Sequence, residues 1–200
     1  VPKIDNRVSQ GVDGGTVPDI KRLVREGDTV VVQVLKDPLG SKGARVTTQL
    51  SIASRYLVLL PGSSRVGISQ RITQPSERKR LTQQVTELFT QLDVKAGFIV
   101  RTVADGASVE SLKSDLLFLV RSWKVIRERL NSNDVGLLHE DLPLTLRTAR
   151  DLVTEETIRI RVDDQATVEA LCDFAREFLP QTSCRIEYYS GAQPIFYLFG

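Results

Sequence analysis

Residues 37–72 read DPLGSKGARVTTQLSIASRYLVLLPGSSRVGISQRI, and this stretch combines two glycine-containing turns, a strand-like apolar run and two loops that carry arginine. The run at residues 55–60 (RYLVLL) has the length of a strand and is closed by the turn signal Pro61-Gly62. The turn at residues 37–43 (DPLGSKG) precedes residues 45–51, which alternate enough to form a returning strand. The stretch therefore predicts strands that are connected by short turns.

The sequence before this stretch predicts one further strand. Residues 29–36 (TVVVQVLK) are dense in β-branched side chains, which favours a buried strand. Residues 1–16 are polar and rich in glycine, as is typical of a loop or flexible arm, and residues 18–26 suit one short helix. The amino-terminal quarter of the chain is therefore predicted to be β-rich.

After residue 72 the apolar pattern changes to helices that alternate with strands. Ser76 and Ser108 are suitable N-caps for two helices with apolar stripes. The stripes contain Leu81, Val85, Leu88, Phe89 and Leu92 in the first helix and Leu112, Leu116, Leu119, Trp123, Ile126 and Leu130 in the second. The remaining predicted elements are strands at residues 97–103, 136–139, 158–162 and 185–189 and helices at residues 144–153 and 167–179. This alternation predicts the α/β class, with a mixed or parallel sheet covered by helices.

The composition sets limits on what this chain can bind. It has 200 residues, of which 41% are hydrophobic, enough to build a core. The formal net charge is +2, so a polyanion site must be a local cluster of arginine and lysine rather than a property of the whole surface. No apolar run approaches the roughly 18 residues of a membrane span, and no secretory signal is visible.

The cysteine and histidine content argues against a zinc site. Cys172 and Cys184 are not in a C-x-x-C arrangement, and His139 is the single histidine, so these residue types cannot supply four ligands. Two isolated cysteines suit a reducing cytoplasm, although a disulfide between them is an alternative. The chain begins Val1-Pro2 and contains no methionine, from which we expect an excised piece of a longer protein.

Arg101 and Thr102 stand at the carboxyl end of the strand predicted at residues 97–103. In open α/β sheets, ligands bind outside the carboxyl ends of the strands. A guanidinium offers a fork of donors that grips phosphate, and a threonine hydroxyl and loop N–H groups can complete the ring. This arrangement predicts a small anion pocket; the alternative is an edge strand whose arginine is simply solvated.

Two more basic residues are candidates for contacts with a polyanion. Arg71 follows the loop at residues 62–69, whose glycines and serines can present backbone donors to an oxyanion, and Arg65 lies within this loop. Lys42, in the tight loop GSKG, can contact an RNA phosphate from a hairpin tip. The alternatives are ordinary surface arginines and a solubilising loop lysine.

The carboxylates near the carboxyl end of the chain allow a metal hypothesis. Asp163 and Asp164 end a predicted strand, and Glu169 and Asp173 lie on the next helix, so this set could hold Mg²⁺ for nuclease chemistry. The simpler interpretation, which we favour, is that one aspartate caps the helix and the others face water.

Other polar residues are interpreted without a ligand. His139 reads as a polar residue at a strand end, and Arg78-Lys79-Arg80 as a solvated helix face. The sequence has no G-x-S-x-G, no G-x-x-x-x-G-K-[ST] and no G-x-G-x-x-G, so nucleophile-elbow, nucleoside-triphosphate and dinucleotide hypotheses have no support. Residues 1–55 contain no aromatic side chain, so an OB-type module in this segment would lack its base-stacking strands.

Four motifs resemble the ribonuclease E/G family of bacterial endoribonucleases. They are DPLGSKGARVTTQLS (residues 37–51), RYLVLLPGSSRVGISQRI (residues 55–72), GFIVRT (residues 97–102) and GAQPIF (residues 191–196). The resemblance runs over most of the chain and is nearer to the ribonuclease G branch of the family.

The resemblance implies three subdomains and a role in RNA processing and decay. Residues 1–48 would be part of an OB-type RNA-binding subdomain, residues 49–144 a 5′-end sensor, and residues 145–200 part of an RNase H-like subdomain. It implies single-stranded RNA as partner, a cytoplasmic location and a homo-oligomer for the full-length protein. It also implies Mg²⁺ for catalysis and Zn²⁺ for a link between subunits, both held by segments that have no counterpart here, so this segment should not cut RNA.

The resemblance also implies roles for single residues. Arg101, Thr102 and Arg71 would bind the 5′-monophosphate of RNA, with Ser54 and Val58 in a backbone-lined wall, and Lys42 would contact RNA elsewhere. Two departures bear on this site, since some relatives have a second arginine in place of Gln70 and a glycine in place of Ser54. A non-catalytic α/β interaction module and a stand-alone metal-dependent nuclease remain the alternatives.

Overall fold

The computed structural model describes residues 23–131, 135–153, 156–178 and 184–198. The predicted arm at residues 1–16 and most of the predicted helix at residues 18–26 lie outside the described residues. The chain divides into two compact units, with the boundary between His139 and Glu140.

The first unit contains a two-stranded hairpin, a four-stranded sheet and two long helices. The hairpin is β1 (Gln33–Lys36) and β2 (Arg45–Thr47). The sheet contains β3 (Ile52–Ala53), β4 (Leu57–Leu60), β5 (Val66–Ile68) and β6 (Gly97–Val100), and the helices are α1 (Pro75–Gln91) and α2 (Val109–Leu130).

The sheet is mixed, with the strand order β3-β4-β6-β5. Strands β3, β4 and β6 pair in antiparallel fashion, whereas β5 and β6 are parallel and are connected through α1. This β5–α1–β6 connection is the βαβ unit that the alternation of strands and helices predicts. The α/β class is therefore confirmed.

Alternation along the central strands divides this sheet into two faces. Leu57, Leu59, Phe98 and Val100 are buried in one cluster with the leucine stripes of α1 and α2. The intervening Val58 and Ile99, which are paired across β4 and β6, are only half-buried. Both helices therefore cover the same face, as the period of two along the strands requires.

The expected buried strand at residues 29–36 is wrong in length and in burial. Strand β1 begins only at Gln33, and the side chains of Val34 and Leu35 are 55% and 53% exposed. In the described part of the chain, β1 pairs with β2 alone, so no third strand extends this hairpin. Dense β-branched residues favour a strand but do not decide whether another element packs on it.

Two predicted boundaries and one predicted strand in the first unit need correction. Helix α1 begins at Pro75 with Gln74 as its N-cap, so Ser76 is not the cap, whereas the predicted cap Ser108 of α2 is confirmed. Strand β6 ends at Val100 and not at residue 103, because a 3₁₀ turn (Thr102–Ala104) follows. Residues 136–139 do not form the predicted strand.

The second unit is a smaller βαβ arrangement. Its elements are α3 (Leu144–Leu152), β7 (Arg159–Val162), α4 (Gln165–Phe178) and β8 (Arg185–Tyr188), followed by a 3₁₀ turn (Ile195–Leu198). Strands β7 and β8 are parallel, and Ala149, Val153, Leu171 and Phe174 form the buried cluster. These elements confirm the predicted helices and strands to within a few residues at each end.

A two-stranded hairpin and a two-stranded parallel sheet do not by themselves identify a fold family. The OB-type and RNase H-like assignments, and the division into residues 1–48, 49–144 and 145–200, therefore stay predictions. In the described ranges, no helix is both long enough and apolar enough to cross a bilayer.

Candidate functional site

The edge of the mixed sheet where β5 and β6 end brings together several of the predicted site residues. Since these strands are parallel, their carboxyl ends meet at one edge, and the Ser69 N–H donates to the Val100 carbonyl across 2.9 Å. The hydroxyls of Ser69 and Thr102 share a hydrogen bond of 2.8 Å. The Arg71 N–H donates to the same Ser69 hydroxyl across 3.3 Å. The Ser69 hydroxyl thus links the Thr102 side chain to the backbone of Arg71.

Arg101 connects this edge to the amino-terminal end of β4. Its backbone N–H donates to the Tyr56 carbonyl across 2.8 Å. Its guanidinium Nη1 donates to the carbonyl of Ser54. Arg101 and Ser54, each a predicted candidate for the 5′-phosphate site, are therefore in direct contact. Val58, on the sheet face away from the helices, pairs with Ile99 two residues before Arg101.

A side chain of α1, Arg78, holds the loop that carries Ser69 and Arg71. The Arg78 guanidinium donates to the carbonyl of Ser69 across 2.8 Å and to the carbonyl of Ile72 across 2.9 Å. Arg78 is half-buried, so the prediction that residues 78–80 form only a solvated face is wrong for it. Both contacts come from the same Nη1 atom, whose two N–H bonds have fixed directions in the planar guanidinium, and they therefore restrict the loop.

Asp115 of α2 is the buried anion of this region. Its Oδ1 accepts from the Ser54 hydroxyl at 2.6 Å and from the Arg55 N–H at 3.0 Å. Its Oδ2 accepts from the N–H groups of Tyr56 at 3.0 Å and Leu57 at 2.9 Å. Burial raises the pKa of the Asp115 carboxyl above its ordinary value, although these hydrogen bonds oppose the rise. Four hydrogen-bond donors of the segment between β3 and the start of β4 thus bind one carboxylate.

Sequence reasoning missed Asp115, Ser69 and Arg78 as parts of this site. A signal existed for Asp115, which lies three residues after Leu112 and four before Leu119, on the apolar stripe of α2. A charged residue on such a face is buried only when it is paired or hydrogen-bonded. Nothing local to the sequence distinguishes Ser69 from its neighbouring serines or Arg78 from Lys79.

A second charge cluster holds the loop between β6 and α2. The Arg80 guanidinium donates to the Glu77 carboxylate, with Nε at 2.7 Å, and to the Ala107 carbonyl at 3.1 Å. The Gly106 N–H donates to Glu77 across 2.9 Å. These hydrogen bonds lower the pKa of Glu77 from 4.5 to about 2, chiefly through Arg80 and then through Gly106. Arg80, too, is more than a solvated residue, because it ties this loop to the first turns of α1.

The low pKa of Glu77 predicts a loss of stability in acid. Its folded-state pKa lies below the ordinary value, so its stabilisation is complete above about pH 4.5 and is lost as the pH falls towards about 2. Glu77→Gln should therefore lower the urea midpoint at pH 7 and flatten its decline between about pH 5 and pH 3. Glu87→Gln, at an exposed position of the same helix, should have the same urea midpoint as the wild type at each pH. Identical pH profiles for Glu77→Gln and wild type would contradict this assignment.

Lys42 lies apart from the sheet edge, in the β1–β2 hairpin. It forms an isolated bridge with Leu39, and the backbone of each residue donates to the other across 3.1 Å. Lys42 and Leu39 are both exposed, so the predicted placement of this lysine at a hairpin tip is confirmed. A cation on a tight, exposed turn is accessible to a phosphate of a flexible strand.

The structure does not assemble the predicted metal set of Asp163, Asp164, Glu169 and Asp173. Asp164 accepts from the Thr167 N–H at 2.8 Å and from its hydroxyl at 2.6 Å, so it caps the start of α4, as the simpler interpretation predicts. These hydrogen bonds lower its pKa. Across the ranges that the structure covers, no three His, Cys, Asp or Glu side chains are placed to hold a metal ion. Cys172 and Cys184 are free thiols.

Comparisons with known proteins point to one family. A sequence profile of the ribonuclease E/G family matches residues 51–200. Ribonuclease G of Escherichia coli K12 is 47% identical over 185 residues, which cover 92% of this chain and 37% of that protein. Ribonuclease G of Haemophilus influenzae is 41% identical over the same coverage, and ribonuclease E of E. coli K12 is 34% identical, over 90% of this chain and 17% of that protein. The chain thus spans little more than a third of its ribonuclease G relatives.

Proposed function

The chain belongs to the ribonuclease E/G family, and we propose that the sheet edge around Arg101 and Thr102 binds the 5′-monophosphate of single-stranded RNA. The observation that carries this proposal is the convergence of Thr102, Ser69 and Arg71 at the carboxyl ends of β5 and β6, next to Arg101. Guanidinium, hydroxyl and backbone N–H groups are the donors from which proteins build phosphate sites. Parallel strand ends are where open α/β sheets bind such ligands.

In this pocket each residue has a distinct task. Arg101, held at the Ser54 carbonyl, and Arg71 supply positive charge, and the hydroxyls of Thr102 and Ser69 supply short neutral hydrogen bonds. The wall beside Arg101 is assigned to the segment that runs from Ser54, in the β3–β4 turn, to Val58 in β4. Because Gln70 stands next to Arg71, the pocket has one cation fewer than in relatives with two adjacent arginines, and we expect correspondingly weaker 5′-end discrimination.

Arg101→Ala should weaken binding of 5′-monophosphorylated RNA by about 10- to 150-fold, as expected for one charge-assisted phosphate contact of 1.5–3 kcal/mol. Binding of the same RNA with a 5′-hydroxyl should change little. The measurement is fluorescence anisotropy with a labelled single-stranded oligonucleotide in both 5′ forms, at low salt because phosphate contacts are salt-dependent.

Two variants serve as controls for this experiment. Lys42→Ala should weaken both RNA forms equally, since the hairpin tip would contact internal phosphates. Arg127→Ala removes an exposed arginine from α2 and should leave both affinities unchanged. Equal affinities for the two 5′ forms in wild type and in Arg101→Ala would refute the proposed function.

For a longer protein that contains this chain, we propose endoribonuclease activity in RNA processing and decay. The Mg²⁺ and Zn²⁺ expected from the resemblance find no ligand cluster in the part of the chain described here, and we assign them to segments that the ribonuclease G relatives have beyond the matched region. Homo-oligomer formation and a cytoplasmic location belong to the same proposal. No step of the 5′-phosphate proposal depends on either metal.

The two alternatives are less well supported by the same geometry. A non-catalytic interaction module would be favoured by a site without basic side chains, but this edge carries Arg101 and Arg71. A stand-alone nuclease would need Asp163, Asp164 and Glu169 around one ion, but Asp164 is committed to capping α4.

A further inference from the structure

Three consecutive backbone N–H groups of the β3–β4 turn point at the same carboxylate. The N–H groups of Arg55, Tyr56 and Leu57 all donate to the Asp115 carboxylate at 2.9–3.0 Å, and the Ser54 hydroxyl adds a fourth donor. Successive N–H groups that converge in this way form a concave site that binds anions. Here the anion is internal, because α2 supplies it.

The same short segment also holds the proposed phosphate-binding arginine. The Ser54 carbonyl accepts from the Arg101 guanidinium, and the Tyr56 carbonyl accepts from the Arg101 N–H across 2.8 Å. The N–H side of the segment is therefore bound to Asp115 while its carbonyl side is bound to Arg101. A shift of this segment would move two hydrogen-bond acceptors of Arg101.

The hydrogen-bond pattern is specific for a carboxylate. Each oxygen of Asp115 accepts two donors, and each of the four partners donates. An asparagine at this position has a single acceptor oxygen, so its NH₂ group would face either Ser54 and Arg55 or Tyr56 and Leu57. In the first orientation the Ser54 hydroxyl can accept from the NH₂ group, but the Arg55 N–H loses its acceptor. In the second orientation the N–H groups of Tyr56 and Leu57 both lose their acceptor, so the segment cannot keep all of its backbone hydrogen bonds around an amide.

We propose that Asp115 is a positioning residue for 5′-phosphate recognition: it holds the 54–57 segment in the shape that presents Arg101 to the terminal phosphate. Asp115 would not touch RNA, since it is buried and faces the protein backbone. This inference rests on the proposed function of the Arg101 pocket. It predicts that removing the carboxylate impairs discrimination of the 5′ end, and not only the stability of the fold.

The test uses Asp115→Asn, Ser54→Ala and a destabilised control, Leu130→Ala. Leu130 is buried at the far end of the same helix, roughly 20 Å from Asp115 by the helical rise. The readout is the ratio of affinities for 5′-monophosphate and 5′-hydroxyl RNA, measured with each variant at a temperature where it is folded. Asp115→Asn should lower this ratio about tenfold, and Ser54→Ala, which removes one of the four donors, by about two- to fivefold. Leu130→Ala should keep the wild-type ratio.

The outcomes separate this inference from the proposed function. In one outcome, wild type prefers 5′-monophosphate RNA, Arg101→Ala loses this preference and Asp115→Asn keeps it in full. The positioning role of Asp115 is then wrong, whereas the proposed phosphate site at Arg101 is supported. If Leu130→Ala lowers the ratio as much as Asp115→Asn does, the effect is general destabilisation and the inference is also wrong. If Asp115→Asn does not fold, Ser54→Ala decides: an unchanged ratio refutes positioning through this network. If wild type shows no discrimination, the proposed function itself fails.

Discussion

Asp115→Ala is expected to lower the free energy of unfolding of the first unit by about 3–5 kcal/mol. The substitution removes the acceptor of four hydrogen bonds at once, three of them from the backbone of the β3–β4 turn. Each buried donor without a partner costs about 1–3 kcal/mol, and water that enters the space left by the carboxylate recovers part of this loss. The expected effect therefore exceeds that of an ordinary surface substitution several-fold.

The measurement is urea unfolding followed by the fluorescence of Trp123, the single tryptophan, which packs against the core of the first unit. Asp37→Ala is the matched control, because Asp37 is exposed and lies in the turn between β1 and β2. We expect this control to stay within about 0.5 kcal/mol of wild type. A loss below about 1 kcal/mol for Asp115→Ala would show that the network does not hold the turn.

Gly97→Ala is expected to cost about 2–4 kcal/mol through a backbone collision. A Cβ atom at Gly97 would collide with the Arg65 carbonyl oxygen and lie 2.8 Å from the Arg65 nitrogen. Neither atom can yield without moving the chain, because the same Arg65 carbonyl accepts from the Phe98 N–H across 2.9 Å at the start of the parallel β5–β6 pairing. The substitution should therefore push β5 away from β6.

This change should also impair the proposed phosphate site, because β5 leads directly to Ser69. The same Trp123 unfolding assay measures the loss of stability, and the anisotropy assay measures the 5′-monophosphate preference. Gly43→Ala is the control, since a Cβ at Gly43 would meet no atom within 4 Å. Equal stability of Gly97→Ala and Gly43→Ala would mean that β5 and β6 are less closely paired than described.

The positions of the helices and strands follow closely from the sequence because their signals are local. The stripe on α2 repeats every three or four residues, and the predicted N-cap Ser108 accepts from the Ser111 N–H. The βαβ units at β5–α1–β6 and β7–α4–β8 follow because segments with the apolar period of a strand alternate with segments that have the apolar period of a helix. The errors concern the length and burial of β1, the start of α1, the end of β6 and the strand expected at residues 136–139. The burial of β1 does not follow from its own residues, since it depends on elements that are distant in sequence.

The candidate site was only partly predictable for a related reason. Arg101, Thr102 and Arg71 are recognisable because they end predicted strands or follow glycine- and serine-rich loops, and Lys42 because it lies in a tight loop between two glycines. The resemblance to the ribonuclease E/G family adds Ser54 and Val58. The sequence alone thus determined the α/β class, the family and the basic residues of the proposed pocket. Only the tertiary structure decided that Asp115, some 60 positions away, closes the 54–57 turn and that Ser69 joins Thr102 to Arg71. Hydrogen bonds over such separations have no period along the chain, so only folding reveals which donor meets which acceptor.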